Sequence, residues 1–333
     1  MTQKKERKTA SLSNYTNNNY FTHQNNNKKY NHEYPDFTVR TSIDFLTLSI
    51  KENADHHTLR DILTSIGFKS IRHDTLAKGN YRMMWTFKHA DTGITAEVFY
   101  ASKKICYPSL MLTIHDPDKE LVNLLHQNFL KHKIHVNLSF VELTFDFFTE
   151  DRIRLREFLK SITFMNNARS KPGRKKTTYY LNNPRKSVRG MRIYTRPESK
   201  HVRMEVTLKS QLLKRLGLSF PLDSIDSLDL TRFFSFKCVD QERLRKYLIW
   251  SNRKLIEKID QKRPGFGSLV ECQIQSWINC IVMDAHGSQT YLMDQITEFK
   301  FGNAIPTFTR FLLPIDDFSE DFMKKVSGQK FLS

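Results

Sequence analysis

The chain has no apolar run near the roughly 18 residues that cross a bilayer, and its opening stretch, MTQKKERKTASLSNYTNNNYF, contains no apolar h-region. These absences predict a soluble, cytoplasmic protein with no secretory signal and no membrane partner. Cysteine is scarce. Cys106, Cys238, Cys272 and Cys280 are the only four, and no two form a CxxC pair. That excludes a disulfide framework and a cysteine-based zinc site, and reads as reduced thiols. Cys272 and Cys280, flanking Trp277, are expected at buried helix positions. A GxxxxGK[ST] phosphate loop is also missing, so nothing in the chain predicts use of ATP.

What the chain has in excess is positive charge, +18 with a pI near 9.7 over 333 residues, which favours polyanionic partners. The surplus is uneven. Between Arg169 and Arg215 there are 15 basic residues against two acids, Glu198 and Glu205, so this stretch carries +13 of the total. Tyr179, Tyr180 and Tyr194 are interleaved with it. Cations crossing several strands and loops form a patch suited to a phosphate backbone, and the rings can stack on bases.

Residues 1–38 are rich in Asn, Lys, Tyr and His, and are expected to be a disordered basic tail. Alternating apolar residues then predict strands at 42–50, 81–102 (a hairpin around HADTG), 107–114 and 136–148. Helical spacing predicts helices at 56–68 and 116–132, the latter capped by Asp116 or Asp118. A helix at 151–162, three strands at 177–183, 190–196 and 201–209, and a helix at 210–218 repeat this order without a strict sequence repeat. Past about 225 the pattern turns mostly helical, at 240–260 and 267–287. The expected fold class is α+β, with ferredoxin-like units and antiparallel sheets. A sheet-containing domain spans 39–220, and a mostly helical region spans 221–333.

Acids stand out where they are costly. In FVELTFDFF, alternation sets Glu142, Thr144 and Asp146 on one face and the apolar residues on the other. In GMRIYTR the shared face holds Arg192, Tyr194 and Arg196, and in HVRMEVTLK it holds Arg203, Glu205 and Thr207. Carboxylates on so apolar a strand need a cation or a hydrogen-bonded partner. Hard oxygen donors suit Mg²⁺ or Mn²⁺, and a buried network with the arginines is the alternative. Residues four apart on a straight strand lie about 13 Å apart, so Glu142 and Asp146 cannot both touch one ion, and Glu205 is the expected companion of one of them.

The line from SIDFLTLSI, with its central Asp44, through ELTFDFF, YYLNNPRKSVRGMRIYTR and VRMEVTLK resembles the trans-acting replication initiators of rolling-circle plasmids and phages, and the related relaxases of conjugative elements. It covers about 42–215. Glu142 and Asp146 stand for the acidic pair, with Phe140 in place of an Arg. Tyr180 to Ser187 stands for a Tyr-Gly-Ser stretch and lacks its glycine, and Arg192-Ile-Tyr194-Thr-Arg196 and Arg203-Met-Glu205 stand for the last two motifs. The resemblance implies a nicking-endonuclease-like domain that cuts one strand of a duplex origin with a tyrosine hydroxyl. The 5′-phosphate stays on the tyrosine and a free 3′-OH primes synthesis. The His-hydrophobe-His pair of related nicking enzymes is absent, and His132 and His135 read as surface residues, which leaves the acid-based variant.

On this reading Tyr194 is the first candidate nucleophile, followed by Tyr180 and Tyr179. Arg192, Arg196 and Arg203 contact phosphate; Glu142, Asp146 and Glu205 form the metal site for Mg²⁺ or Mn²⁺. Arg174, Lys175, Lys176, Tyr180, Arg185, Lys186, Arg189 and Arg196 bind DNA. The expected partner is double-stranded origin DNA with a single-stranded or hairpin nick site, with room for a host helicase and for a homodimer. Two other classes fit the basic patch: a non-catalytic origin-binding or regulatory protein, and an RNA-binding protein. The second lacks its usual Lys/Arg-Gly-Phe/Tyr signature.

Overall fold

The structure, a computed structural model, describes residues 33–50, 54–77, 79–166, 173–182, 187–195, 200–284 and 311–332. It is an α+β fold built on one antiparallel sheet of ten strands. The first half of that sheet comes from β1 (Thr38–Ile50), α1 (His56–Ser65), β2 (Phe68–Leu76), β3 (Tyr81–His89), β4 (Thr95–Ser102), β5 (Leu110–His115) and α2 (Lys119–Lys131). The second half comes from β6 (Val136–Phe148), α3 (Arg152–Ile162), β8 (Gly173–Lys175), β9 (Thr178–Leu181), β10 (Arg189–Thr195), β11 (His201–Lys209) and α4 (Ser210–Arg215), with the short β7 (Thr163–Met165) after α3 standing outside this sheet.

Strand order is β2-β3-β4-β5-β1-β6-β11-β10-β9-β8. Each half is a long first strand, a helix, a four-strand meander whose last strand returns beside the first, and a closing helix. The two halves meet along β1 and β6, both 13 residues long, and are arranged in opposite directions from that seam. The element order repeated in the sequence is thus a repeated unit of structure.

Local chemistry sets the boundaries. Asp55 caps α1, its side chain accepting from Thr58 N at 2.8 Å, and Asp118 caps α2, accepting from Leu121 N at 2.7 Å. Gly67 ends the first helical segment at φ +97°, and a Cβ there would stand 2.7 Å from His89 Nε2.

One face of the sheet is dry. Ile43, Leu46 and Leu48 of β1, Val98 of β4, Leu112 of β5, Leu143, Phe145 and Phe147 of β6, Ile193 of β10 and Met204 of β11 are at most 1% exposed, and they share one core with Leu59, Leu125, Leu155 and Leu213 of the four helices. Each such side chain contributes roughly 1.5–3 kcal/mol by leaving water. The alternate residues face the other side, where no helix of that core packs among the described residues. An antiparallel sheet with one face packed on helices and the other more polar is the expected compromise, although Glu142, Thr144, Asp146, Glu205 and Thr207 near the middle of this open face are themselves buried.

The C-terminal region is helical in the main but not throughout. β12 (Phe234–Val239) pairs with β7 and with β13 (Leu312–Pro314) in a small second sheet. α5 (Gln241–Lys262) and α6 (Phe266–Asp284) close a separate core around Leu244, Leu248, Ile274 and Ile278. The last helix, α7 (Asp316–Val326), returns to the main core through Phe318 and Phe322. Cys272 is exposed on α6, contrary to the burial expected from its neighbours, because the buried stripe of that helix runs through Ile274 and Ile278 instead. Among the described residues no helix is long and apolar enough to cross a membrane.

Candidate active site

The open face carries the acids. Register brings them together: Glu205 of β11 lies opposite Arg192 of β10 and Thr144 of β6, Arg203 lies between Tyr194 and Asp146, and Thr207 lies opposite Glu142. Asp44 joins from β1 by a different device. The β1–β6 register slips between Ile43 and Phe45, leaving Asp44 in a β-bulge without a register partner on β6, while on its other side its carbonyl accepts from Asp116 N at 2.9 Å. A bulge re-aims a side chain and is common beside active sites. Asp44 and Glu142 are each the seventh residue of their 13-residue strands, so they occupy equivalent places in the two halves.

Carboxylate oxygens of Asp44, Glu142 and Glu205 lie within 4.8 Å of one another, and all three residues are buried. Asp146 is not part of that group. It is held by Arg203 through Nε at 2.6 Å and Nη2 at 2.8 Å, with His201 Nε2 3.0 Å away. The geometry therefore sets Asp44 in the place given to Asp146 from the sequence. The physical reason is the strand spacing that keeps Glu142 and Asp146 apart, together with a bulge that no residue pattern announces.

Two guanidiniums lace the cluster. Arg192 bonds Glu142 at 2.8 Å and pairs with Glu205, while Arg203 reaches Asp44 at 3.3 Å. Burial lowers the pKa of Arg203, but its hydrogen bonds to Asp146 and the charges of Asp146 and Asp44 outweigh this and hold it above the ordinary arginine value. Glu142 is raised, chiefly by burial and further by Asp44, against Arg192 and the Thr207 hydroxyl that bonds it at 2.8 Å. Among the described residues the four carboxylates meet two guanidiniums and the His201 imidazole, and burial favours the neutral form of Glu142. Thr144 Oγ1, in a fully buried residue on this face, has no hydrogen-bond partner among the described residues. The all-oxygen donor set of Asp44, Glu142 and Glu205 fits a hard divalent cation such as Mg²⁺ or Mn²⁺.

Tyr194 is half-buried beside these groups. Its hydroxyl donates to Glu205 Oε1 at 2.5 Å, and the Arg192 guanidinium stands 5.8 Å from its ring centre. Tyr180 lies opposite Arg192 and shares the open face. Tyr179 lies opposite Ile193 and is 9% exposed in the hydrophobic core, which removes it from the set of available hydroxyls. Arg174, Lys175 and Lys176 are exposed on the β8–β9 hairpin at the edge of the sheet, two strands from Arg192. Arg189, half-buried and opposite Leu208, falls on the other side of β10 from Arg192. Arg185, Lys186 and Arg196 lie outside the described residues. His132 and His135 are exposed, as expected.

No family model matches the chain, and no curated protein is similar enough in sequence to be matched.

Proposed function

We propose that the chain is a replication initiator of the rolling-circle type, which binds a duplex origin and nicks one strand by tyrosine transesterification. The nicking-endonuclease-like sheet with ferredoxin-like halves implied by the resemblance belongs to the same proposal. The observation that carries it is the 2.5 Å hydrogen bond from the half-buried Tyr194 to the buried Glu205, made beside two arginines on the sheet face away from the helices. A phenol with an ordinary pKa near 10 is a weak nucleophile at neutral pH unless a base takes its proton. Glu205 is placed to do so. The Tyr194 oxygen then forms a bond to phosphorus, the bond from phosphorus to the 3′ oxygen breaks, and that oxygen leaves as a hydroxyl after taking up a proton. The 5′-phosphate remains on Tyr194.

Arg192 and Arg203 supply fixed positive charge where the phosphate gains negative charge. A divalent ion held by Asp44, Glu142 and Glu205 would polarise the scissile phosphate. The β8–β9 hairpin cations would hold duplex phosphates and set the register of the strand. Tyr194→Phe is expected to abolish the covalent protein–DNA adduct on a supercoiled plasmid carrying the cognate origin, with origin binding retained, since only a hydroxyl is lost. Wild-type relaxation is expected to need Mg²⁺ or Mn²⁺ and no ATP. An adduct formed by the Phe variant moves the nucleophile to Tyr180.

The ion pairs that close over the carboxylates favour a second reading, a non-catalytic origin-binding or regulatory protein. It is selected if the wild-type protein binds the origin, forms no adduct under any metal condition, and loses fold stability when the cluster is neutralised.

A further inference from the structure

The active-site face does not end at the seam between the halves. On the open side, cross-strand register makes a continuous row from the acidic cluster into the first half: Glu142 lies opposite Phe45, and Phe45 opposite His115. A parallel row runs from Thr47 through Thr113, Glu97 and Thr86 to Arg72. Phe45 and Phe99 present half-buried rings on this face, with Phe99 opposite Met84 on one side and Met111 on the other. At the far margin Lys69, Arg72, Arg82 and Lys88 are exposed on β2 and β3, and none pairs with a carboxylate among the described residues. The only acid that β2–β5 carry on this side among the described residues, Glu97, is offset by His115 at 3.7 Å. Half-buried rings in the middle with free cations at the rim form a surface that stacks bases and holds phosphates. With strands about 4.8 Å apart, the distance from β1 to β2 is roughly 19 Å, enough for several nucleotides of an unpaired strand.

We propose that the open face of β1–β5 is a binding track for single-stranded DNA, which receives the unpaired strand running from the cut site. The track rests on the nicking reading only for the origin of that strand. A single strand is favoured over a duplex because the rings lie within a sheet face, where they meet bases only if those bases are unstacked from a partner strand. The pseudo-repeat gives this division of labour a structural basis, the second half supplying the tyrosine and the arginines and the equivalent face of the first supplying grip beyond Asp44.

The test uses the full chain and fluorescein-labelled oligothymidylate in EDTA, read by fluorescence anisotropy across a salt series, with thermal melting to confirm that each variant is folded. Replacing Lys69, Arg72, Arg82 and Lys88 by Gln together is expected to weaken binding by on the order of tenfold or more and to flatten its salt dependence. Phe99→Leu keeps apolar volume but loses the ring, and is expected to weaken binding about fivefold or more with the salt slope unchanged. Folded variants that both bind like the wild type overturn the track, and tighter binding of oligouridylate than oligothymidylate overturns its assignment to DNA. The assay needs neither a metal nor cleavage. Loss of nicking with the variant effects intact would sink the proposed function and leave the track standing, and nicking with unaltered variant binding would do the reverse.

Discussion

At the scale of single residues, Arg203 and Arg192 do similar chemistry in different surroundings. The Arg203 side chain is 11% exposed and holds both Asp44 and Asp146, whereas that of Arg192 is 30% exposed. Removing a buried cation strands its carboxylates in a poor solvent for charge. Arg203→Gln is therefore expected to destabilise the fold by about 3–5 kcal/mol, and Arg192→Gln by clearly less, as read by urea unfolding. Equal costs would show that Arg203 does not anchor the network. His115 gives a pH dependence. Its hydrogen bond to Glu97 raises its pKa, against the effect of burial. A histidine raised in the folded state stabilises fully below its unfolded value near 6.5, and that contribution is lost as pH rises through the raised folded value. Glu97→Gln is expected to lower the melting temperature more at about pH 6 than at about pH 9, the difference remaining below ~1 kcal/mol because the pair is partly solvated. The same cost at both values would mean that the pair is energetically silent. Glu142, Tyr194, Arg192, Arg203 and Glu205 were legible as site candidates because alternation alone sets them on one face. Asp44 was legible only as a motif position, since its entry into the cluster depends on a slip in register.

At the scale of elements, periodicity identified the long strands and the helices up to α6, and missed α7. β6 and β11 fall at the residues expected, 136–148 and 201–209, because each alternates against a buried face without a turn residue inside it. β2, β7, β8, β12 and β13 escaped. β2 is an edge strand with polar residues on both sides, and β7 and β8 are three residues each, too short for any period. The β8–β9 hairpin carries the element-scale prediction for DNA binding. Replacing Arg174, Lys175 and Lys176 by Gln is expected to reduce the slope of log affinity for duplex DNA against log salt by about 0.9 for each phosphate that these cations neutralise in the wild type. An unchanged slope would move the duplex to another surface.

At the scale of the whole molecule, the C-terminus completes the sheet. Phe318 and Phe322 are fully buried, with Phe322 stacked on Phe147 at 5.8 Å and tilted against Phe145 at 5.7 Å. Gln329 ties the chain to β1, its side-chain oxygen accepting from Thr41 N at 2.9 Å and its amide donating to Val39 O at 2.5 Å. Phe322→Ala is expected to cost about 3–5 kcal/mol in urea unfolding. A loss under about 1 kcal/mol would show that the helix only rests on the core.

The sequence by itself determined the α+β class, the repeated element order, the candidates that share one strand face and the basic stretch between Arg169 and Arg215. Each is a consequence of local period or local charge, and both are properties of neighbours along the chain. Only the tertiary structure decided that the two halves join along β1 and β6, that Asp44 rather than Asp146 completes the acidic group, that Tyr179 is buried while Tyr194 meets Glu205, and that residues 311–332 return to the sheet they follow by some hundred positions. These depend on register, bulges and long-range packing, where a shift of one residue inverts a face and where distant segments that pack together leave no periodic trace in either.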